Sequence, residues 1–189
     1  MMKRDACLKL LAAALPADQI VVAAYTAAFD WIAIRPGPLN YISSGAMGLT
    51  NSHGLGFALG MPDRRIIVLD GDGSLLMNLG SLVTIAEAAC ENLVHFVCEN
   101  GTYEANGAQP IPGQGRVDFA GLARAAGYAH AHEFSDLADF GKGIGNVLQE
   151  KGPVFVDLKL EPGETYPKDY GIMHGAKIRQ DFRTALKGT

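Results

Sequence analysis

An α/β architecture is the fold class this sequence predicts: a three-layer, doubly wound and largely parallel sheet flanked by helices. Three observations carry the expectation. Two short, partly β-branched apolar runs, Ile66-Ile67-Val68-Leu69 and Leu93 to Val97, lead into turn residues, the pattern of a buried strand. Between them, Leu79 to Asn92 is of helix length, with apolar residues at Leu79, Leu82, Val83 and Ala86. Strand-like and helix-like segments then keep alternating, as parallel βαβ units require.

Taken in order, Ala6 to Leu15 reads as an amphipathic helix stopped by Pro16, and Gln19 to Ala23 as a strand. Tyr25 to Ile34 is helical, and a loop runs through Arg35-Pro36-Gly37-Pro38. Ile42-Ser43-Ser44 opens the Gly-rich stretch Gly45-Ala46-Met47-Gly48, which leads into a helix ending near Gly60. Gly54, Gly56 and Gly60 weaken that helix, and predict that another backbone packs close to it. Strands follow at Arg65–Leu69 and Leu93–Cys98. Beyond them come a short helix at Gly121–Ala126, a strand at Tyr128–Ala131, a helix across Ser135–Glu150 and a strand at Val154–Leu160. Glu161 to Gly175 reads as irregular, its acidic start to Glu164 as a solvated turn, and a helix closes the chain from about residue 176. No repeat or linker divides the 189 residues, so one domain over 1–189 is expected.

Composition narrows the function classes. With 48% hydrophobic residues and a net charge of −4, the sequence describes a soluble globular protein. Lys and Arg are scattered without interleaved aromatics, which argues against nucleic acid. Lys9 interrupts the apolar stretch behind Lys3-Arg4, leaving Leu10 to Leu15 too short for a leader or a membrane span. Cys7, Cys90 and Cys98 show no C-x-x-C spacing and read as core residues, Cys90 in a helix and Cys98 in a strand, of a reduced, cytoplasmic protein. No G-x-G-x-x-G follows a strand, so a dinucleotide fingerprint is absent.

The chemistry concentrates where the two apolar runs end. Gly71-Asp72-Gly73-Ser74 follows the first, and Glu99-Asn100-Gly101-Thr102 the second. In a parallel βαβ unit both loops leave the carboxyl ends of neighbouring strands, where open α/β sheets bind ligands. The Asp72 carboxylate, the Asn100 amide and a bare turn carbonyl at Thr102 then converge as hard oxygen donors. Mg²⁺ takes such donors while keeping phosphate oxygens in its other positions. The residues thus point to a metal-bridged diphosphate. Each dipeptide alone is also an ordinary turn, and the Ser74 hydroxyl suits either a helix cap or a diphosphate at a helix mouth.

With these residues laid out, the sequence resembles the diphosphate-binding domain of thiamine-diphosphate enzymes. The motif is Gly71-Asp72-Gly73, with twenty-six residues before Asn100, and Gly45-Ala46-Met47-Gly48 upstream. The resemblance implies that Asp72, Asn100 and the Thr102 carbonyl hold Mg²⁺ against the diphosphate of thiamine diphosphate. It places Met47 as the apolar wedge under the cofactor and the Gly45 carbonyl as acceptor for the pyrimidine amine. Gly71, Gly73, Ser74 and Tyr103 border the cofactor, with Tyr25 and Thr26 as further diphosphate candidates. The layout from Ser44 to Gly127 is most similar to the sulfopyruvate and phosphonopyruvate decarboxylases, through the run Gly71 to Gly80, Asn100-Gly101-Thr102-Tyr103, Gln109-Pro110 and Asp118 to Ala123.

That resemblance implies decarboxylation of a small 2-oxoacid, the cofactor serving as electron sink. The Glu that activates the cofactor sits on a separate pyrimidine-binding domain in the family. A partner subunit carrying it is therefore expected, together with self-association, and no catalytic residue is certain in this chain. Asn106, Glu104 and His53 are the candidates for facing substrate, Asn106 reading equally as an Asx-turn and His53 equally as packed. His95, His130 and His132 read as structural or surface residues, and His174 as a solvated loop residue or a substrate contact. Two other functions remain open: the cofactor subunit of a 2-oxoacid oxidoreductase, against which three scattered cysteines argue, and a non-catalytic cofactor-binding or regulatory subunit.

Overall fold

The computed structural model describes residues 1–42, 45–163 and 166–188. The predicted opening at Ser43-Ser44 and Glu164 of the predicted acidic turn lie outside the described residues.

Helix α1 (Arg4–Ala14) precedes β1 (Ile20–Ala23), α2 (Tyr25–Ile34) and the two-residue strand β2 (Asn40–Tyr41). Then come α3 (Thr50–Gly60), β3 (Ile66–Gly71), α4 (Asp72–Met77), α5 (Ser81–Ala88) and β4 (Leu93–Glu99). A small hairpin, β5 (Thr102–Tyr103) and β6 (Gln109–Pro110), encloses a 3-10 turn at Glu104–Asn106. The chain continues through α6 (Phe119–Ala126), β7 (His130–Phe134), α7 (Leu137–Val147), β8 (Val154–Lys159), α8 (Tyr170–His174) and α9 (Ala176–Lys187).

The main sheet is six-stranded in the order β2-β1-β3-β4-β8-β7, with every pairing parallel. Alternate residues of each strand feed the two faces. In β3, Ile67 and Leu69 join a core with α1, α2 and α7, whereas Ile66 and Val68 join one with α3, α5 and α6. Both faces are covered, so the strands are apolar throughout. From β1 the chain steps outward to β2, then returns to lay β3 on the other side of β1. The β1/β3 border is therefore the topological switch point, where α/β sheets open a crevice at their carboxyl ends.

Several elements differ from expectation. Asp72 does not sit in a loop: it is the first residue of α4, and the expected Leu79–Asn92 helix is the shorter α5. Ala89 ends α5 in a left-handed conformation (φ 49°), its N–H donating to Ile85 and Ala86. Asn92 lies outside the helix because its amide donates to the carbonyls of Ala58, Met61 and Arg64 behind α3, at 3.1, 2.9 and 2.8 Å. Cys90 accordingly follows α5 rather than lying in it, although it is buried. β7 starts two residues later than expected, Tyr128 being buried beside His95. The stretch read as irregular contains α8. The short strands β2, β5 and β6 left no period to read, and Thr102 lies in a hairpin strand rather than a bare turn. Of the three glycines of α3, only Gly54 is closely approached. A Cβ there would lie 2.2 Å from a side-chain methyl of Val68, not from another backbone, and nothing lies within 4 Å at Gly56 or Gly60.

Candidate functional site

A cleft opens at the switch point, lined by the start of α2, the turn from β3 into α4 and the loop after β4. Ala24, Tyr25, Thr26 and Ala27 come from the first, Gly71, Asp72, Gly73 and Ser74 from the second, and Cys98, Asn100, Thr102, Tyr103, Glu104 and Ala105 from the third. Met47 lines it from the Gly-rich stretch, and Arg4 from α1.

Asp72 is 2% exposed. One carboxylate oxygen accepts from its neighbour Gly73 N–H at 2.7 Å, and the other reaches across to the Gly101 N–H at 2.6 Å. The second bond ties the β3–α4 turn to the β4 loop, because β3 and β4 are paired up to Gly71 and Cys98. Burial pushes the Asp72 carboxyl up to about 6 despite these donors. No cationic side chain among the described residues pairs with it at ion-pair distance. A buried carboxylate with backbone donors and no counter-charge suits a cation better than a structural role.

Asn100 closes an Asx turn: its side-chain oxygen accepts from the Thr102 N–H at 2.9 Å and from the Thr102 hydroxyl at 3.2 Å. The turn aligns the loop, and the longer hydroxyl contact is the one a rotation can free. Among the described residues no three His, Cys, Asp or Glu side chains gather as a metal cluster. The Asp72 carboxylate and the Asn100 side-chain oxygen are instead hard oxygen donors of the kind Mg²⁺ takes while keeping phosphate oxygens.

Glycine is required at position 73, where a Cβ would meet the Tyr103 ring at 2.5 Å. Tyr103 thereby packs directly on the first turn of α4. The Ser74 hydroxyl neither caps a helix nor is free: it accepts from the Gly48 N–H at 2.9 Å, while the Asn78 amide donates to the Gly48 carbonyl at 2.9 Å. These two bonds fix the Gly-rich stretch, and with it Met47, over α4. Gly48 itself has φ 83°, a left-handed conformation that favours glycine.

The structure thus gathers Met47, Gly71, Asp72, Gly73, Ser74, Asn100, Thr102, Tyr103 and Glu104 around one cleft, with Tyr25 and Thr26 opposite. Three expected residues stand apart. Gly45 is exposed and does not line the cleft. Asn106 is also exposed, at the end of the 3-10 turn, where Ala105 faces the cleft instead. His53 lies on α3 against the Tyr41 ring at 5.5 Å, so it is packed, and burial lowers its pKa. His95 is fully buried beside the Tyr128 hydroxyl at 3.2 Å, His132 meets Glu150 at 2.7 Å, and exposed His174 stacks on Tyr170. The buried Cys98 thiol is pushed up by desolvation and is inert.

Arg4 is the residue that sequence reasoning missed. It was legible only as one of two N-terminal charges. Met2 pairs with Leu160 in parallel fashion, and the Met2 N–H donates to Lys159 at 2.9 Å. This carries Arg4 to the carboxyl edge of the sheet. There it is 7% exposed, with Asp30 at 2.6 Å and Glu104 at 2.7 Å. Burial opposes its charge, but Cys98, Asp30 and Glu104 together outweigh that and raise its pKa.

Comparison with known proteins agrees with this geometry. Residues 22–158 match the family described as thiamine pyrophosphate enzyme, C-terminal TPP binding domain. A phosphonopyruvate decarboxylase of Streptomyces viridochromogenes is 37% identical over 95% of this chain and 45% of its own length. The sulfopyruvate decarboxylase subunit beta of Methanothermobacter thermautotrophicus is 38% identical over 69% of this chain and 66% of its own length. The chain therefore spans about half the length of the phosphonopyruvate enzyme. Among solved structures, a thiamin diphosphate-dependent enzyme from Mycobacterium smegmatis superposes with a TM-score of 0.73 at 23% identity, over 86% of this chain and 32% of its own, a likeness of fold. With the switch-point cleft, Asp72 at the start of α4, the Asn100 loop and the match across most of its length, the chain belongs to the thiamine pyrophosphate enzymes, as their C-terminal TPP-binding domain.

Proposed function

We propose that this chain, as a single diphosphate-type domain, holds Mg²⁺ and thiamine diphosphate for a 2-oxoacid decarboxylase of the sulfopyruvate or phosphonopyruvate type. One observation carries the reading: the buried carboxylate of Asp72, without a cationic partner among the described residues, is tied to the Asn100 loop by its 2.6 Å bond to Gly101. In this reading Asp72, Asn100 and the Thr102 carbonyl bind the metal. Backbone N–H groups at the start of α2, together with Thr26, face the diphosphate. Met47 supports the rings from below. Bound thiamine diphosphate supplies an electron sink for the pair left behind when a 2-oxoacid loses CO₂.

The names of the relatives support the substrate class, since both are decarboxylases of 3-carbon 2-oxoacids bearing a second acidic group. The "subunit beta" name of the methanogen relative supports a hetero-oligomer. The partner in this reading brings the pyrimidine-binding domain and its activating Glu, and the assembly works in the cytoplasm. No helix among the described residues is long and apolar enough to cross a membrane. The same cleft also serves the oxidoreductase and non-catalytic readings, but no observation favours either.

Asp72→Ala tests the site. Removing the carboxylate should abolish Mg²⁺-dependent thiamine diphosphate binding, measured by calorimetry, while the circular dichroism spectrum stays that of the parent. Binding unchanged by the substitution rejects the assignment.

A further inference from the structure

The geometry points to Glu104 and Arg4 as a brace that positions the metal-holding loop, a role beyond the substrate-facing one expected of Glu104. This inference rests on the proposed function, because the loop it positions is the one carrying Asn100 and Thr102. Glu104 follows that loop by two residues and lies within the hairpin of β5 and β6. One of its carboxylate oxygens pairs with Arg4 Nη1 at 2.7 Å, 100 positions away in the chain. The other accepts from the Gly163 N–H at 3.2 Å. Arg4 Nε in turn meets Asp30 of α2 at 2.6 Å, and the second Asp30 oxygen accepts from the Tyr166 N–H at 3.1 Å.

Four segments thus meet on three side chains that are 2 to 9% exposed: α1, α2, the loop after β4 and the chain beyond β8. One guanidinium faces two carboxylates, so the cluster carries an excess negative charge. Arg4 spends Nε and Nη1 on these carboxylates, and the surplus negative charge makes it a poor receptor for a further anion, although it is the sole cationic side chain among the described residues lining the cleft. A planar guanidinium bridging two carboxylates in fixed directions holds geometry rather than ligand. What it holds is the first residue past the β5 strand, and hence the Asx turn at Asn100. The bonds from Gly163 and Tyr166 link the same geometry to the chain beyond β8.

The decisive variant is Glu104→Ala, with Glu104→Gln as its conservative rescue. Glu104→Ala leaves Arg4 balanced by Asp30, so a cooperative melt is expected to persist. Two readouts follow on the full chain. Without any ligand, amide exchange of residues 100–106 should quicken in Glu104→Ala relative to the parent and return toward the parent in Glu104→Gln. In calorimetry with thiamine diphosphate and Mg²⁺, the Kd should rise about tenfold in Glu104→Ala, the lower end for residues that support metal ligands, and recover in part in Glu104→Gln, whose single amide oxygen keeps the Arg4 bond while its NH₂ cannot accept from Gly163. A lowered melting point with unchanged exchange and unchanged Kd overturns the brace, since Glu104 is then only structural. If the parent itself binds no thiamine diphosphate with Mg²⁺, the proposed function fails, and the ligand-free exchange still decides whether Glu104 positions the loop.

Discussion

Single residues in this chain show how burial sets charge. Asp157 on β8 is fully buried, with Lys159 at 2.9 Å. Burial, together with its neighbour Glu99, pushes it up to about 8 against the help of Lys159. The sign follows directly. The folded state keeps a proton that the unfolded chain gives up near pH 4, so this group's contribution to stability is present at low pH and falls as pH rises toward 8. The loss is at most about 1.4 kcal/mol per pH unit. Asp157→Asn has no proton to lose. Its melting temperature relative to the parent should therefore shift in its favour between pH 5 and pH 8.5, read by parallel thermal melts, and a constant difference contradicts the assignment. Asp72 belongs to the same physics, but there the described residues provide backbone donors and no cation, which is why it reads as a ligand and Asp157 as a structural acid.

At the level of elements, α3 separates two kinds of glycine. Gly54 faces the sheet, where a Cβ would lie 2.2 Å from the Val68 methyl, while Gly56 has open space. Gly54→Ala should cost about 1–3 kcal/mol through overpacking. Gly56→Ala should stabilise by roughly 0.5–1 kcal/mol through helix propensity. Urea unfolding of the two variants checks both signs, and equal effects would mean that α3 does not sit on Val68 as described. α3 also reaches α5, where the Asn51 amide donates to the Ser81 hydroxyl at 2.7 Å, while Ser74 and Asn78 hold the Gly-rich stretch ahead of α3 through Gly48. Element boundaries were the least legible feature. Ala89 ends α5 through its left-handed conformation, and Asn92 is held outside it by partners behind α3, neither of which a local period encodes.

For the whole molecule, Glu104 is the only Glu among the described residues lining the cleft, and Arg4 already holds it. The isolated chain is therefore expected to bind thiamine diphosphate with Mg²⁺ yet show no decarboxylation of sulfopyruvate or phosphonopyruvate. Adding a pyrimidine-binding subunit should restore CO₂ release, measured by a coupled assay. Full turnover by the chain alone would remove the need for a partner.

Read alone, the residues determined the layered parallel sheet, because strand burial on two faces demands continuous apolar runs and helices demand a different period. They also determined that Asp72 and Asn100 follow neighbouring strands, since their distance apart is the length of one crossover and so is written along the chain, although Asp72 opens α4 rather than a loop. Only the tertiary structure decided that Gly45, Asn106 and His53 stand outside the cleft and that Arg4 stands within it. Those placements depend on contacts between positions far apart in the chain, such as Met2 with Leu160 and Arg4 with Glu104. Such contacts are set by how packed layers bring distant segments together, and a local pattern carries no record of them.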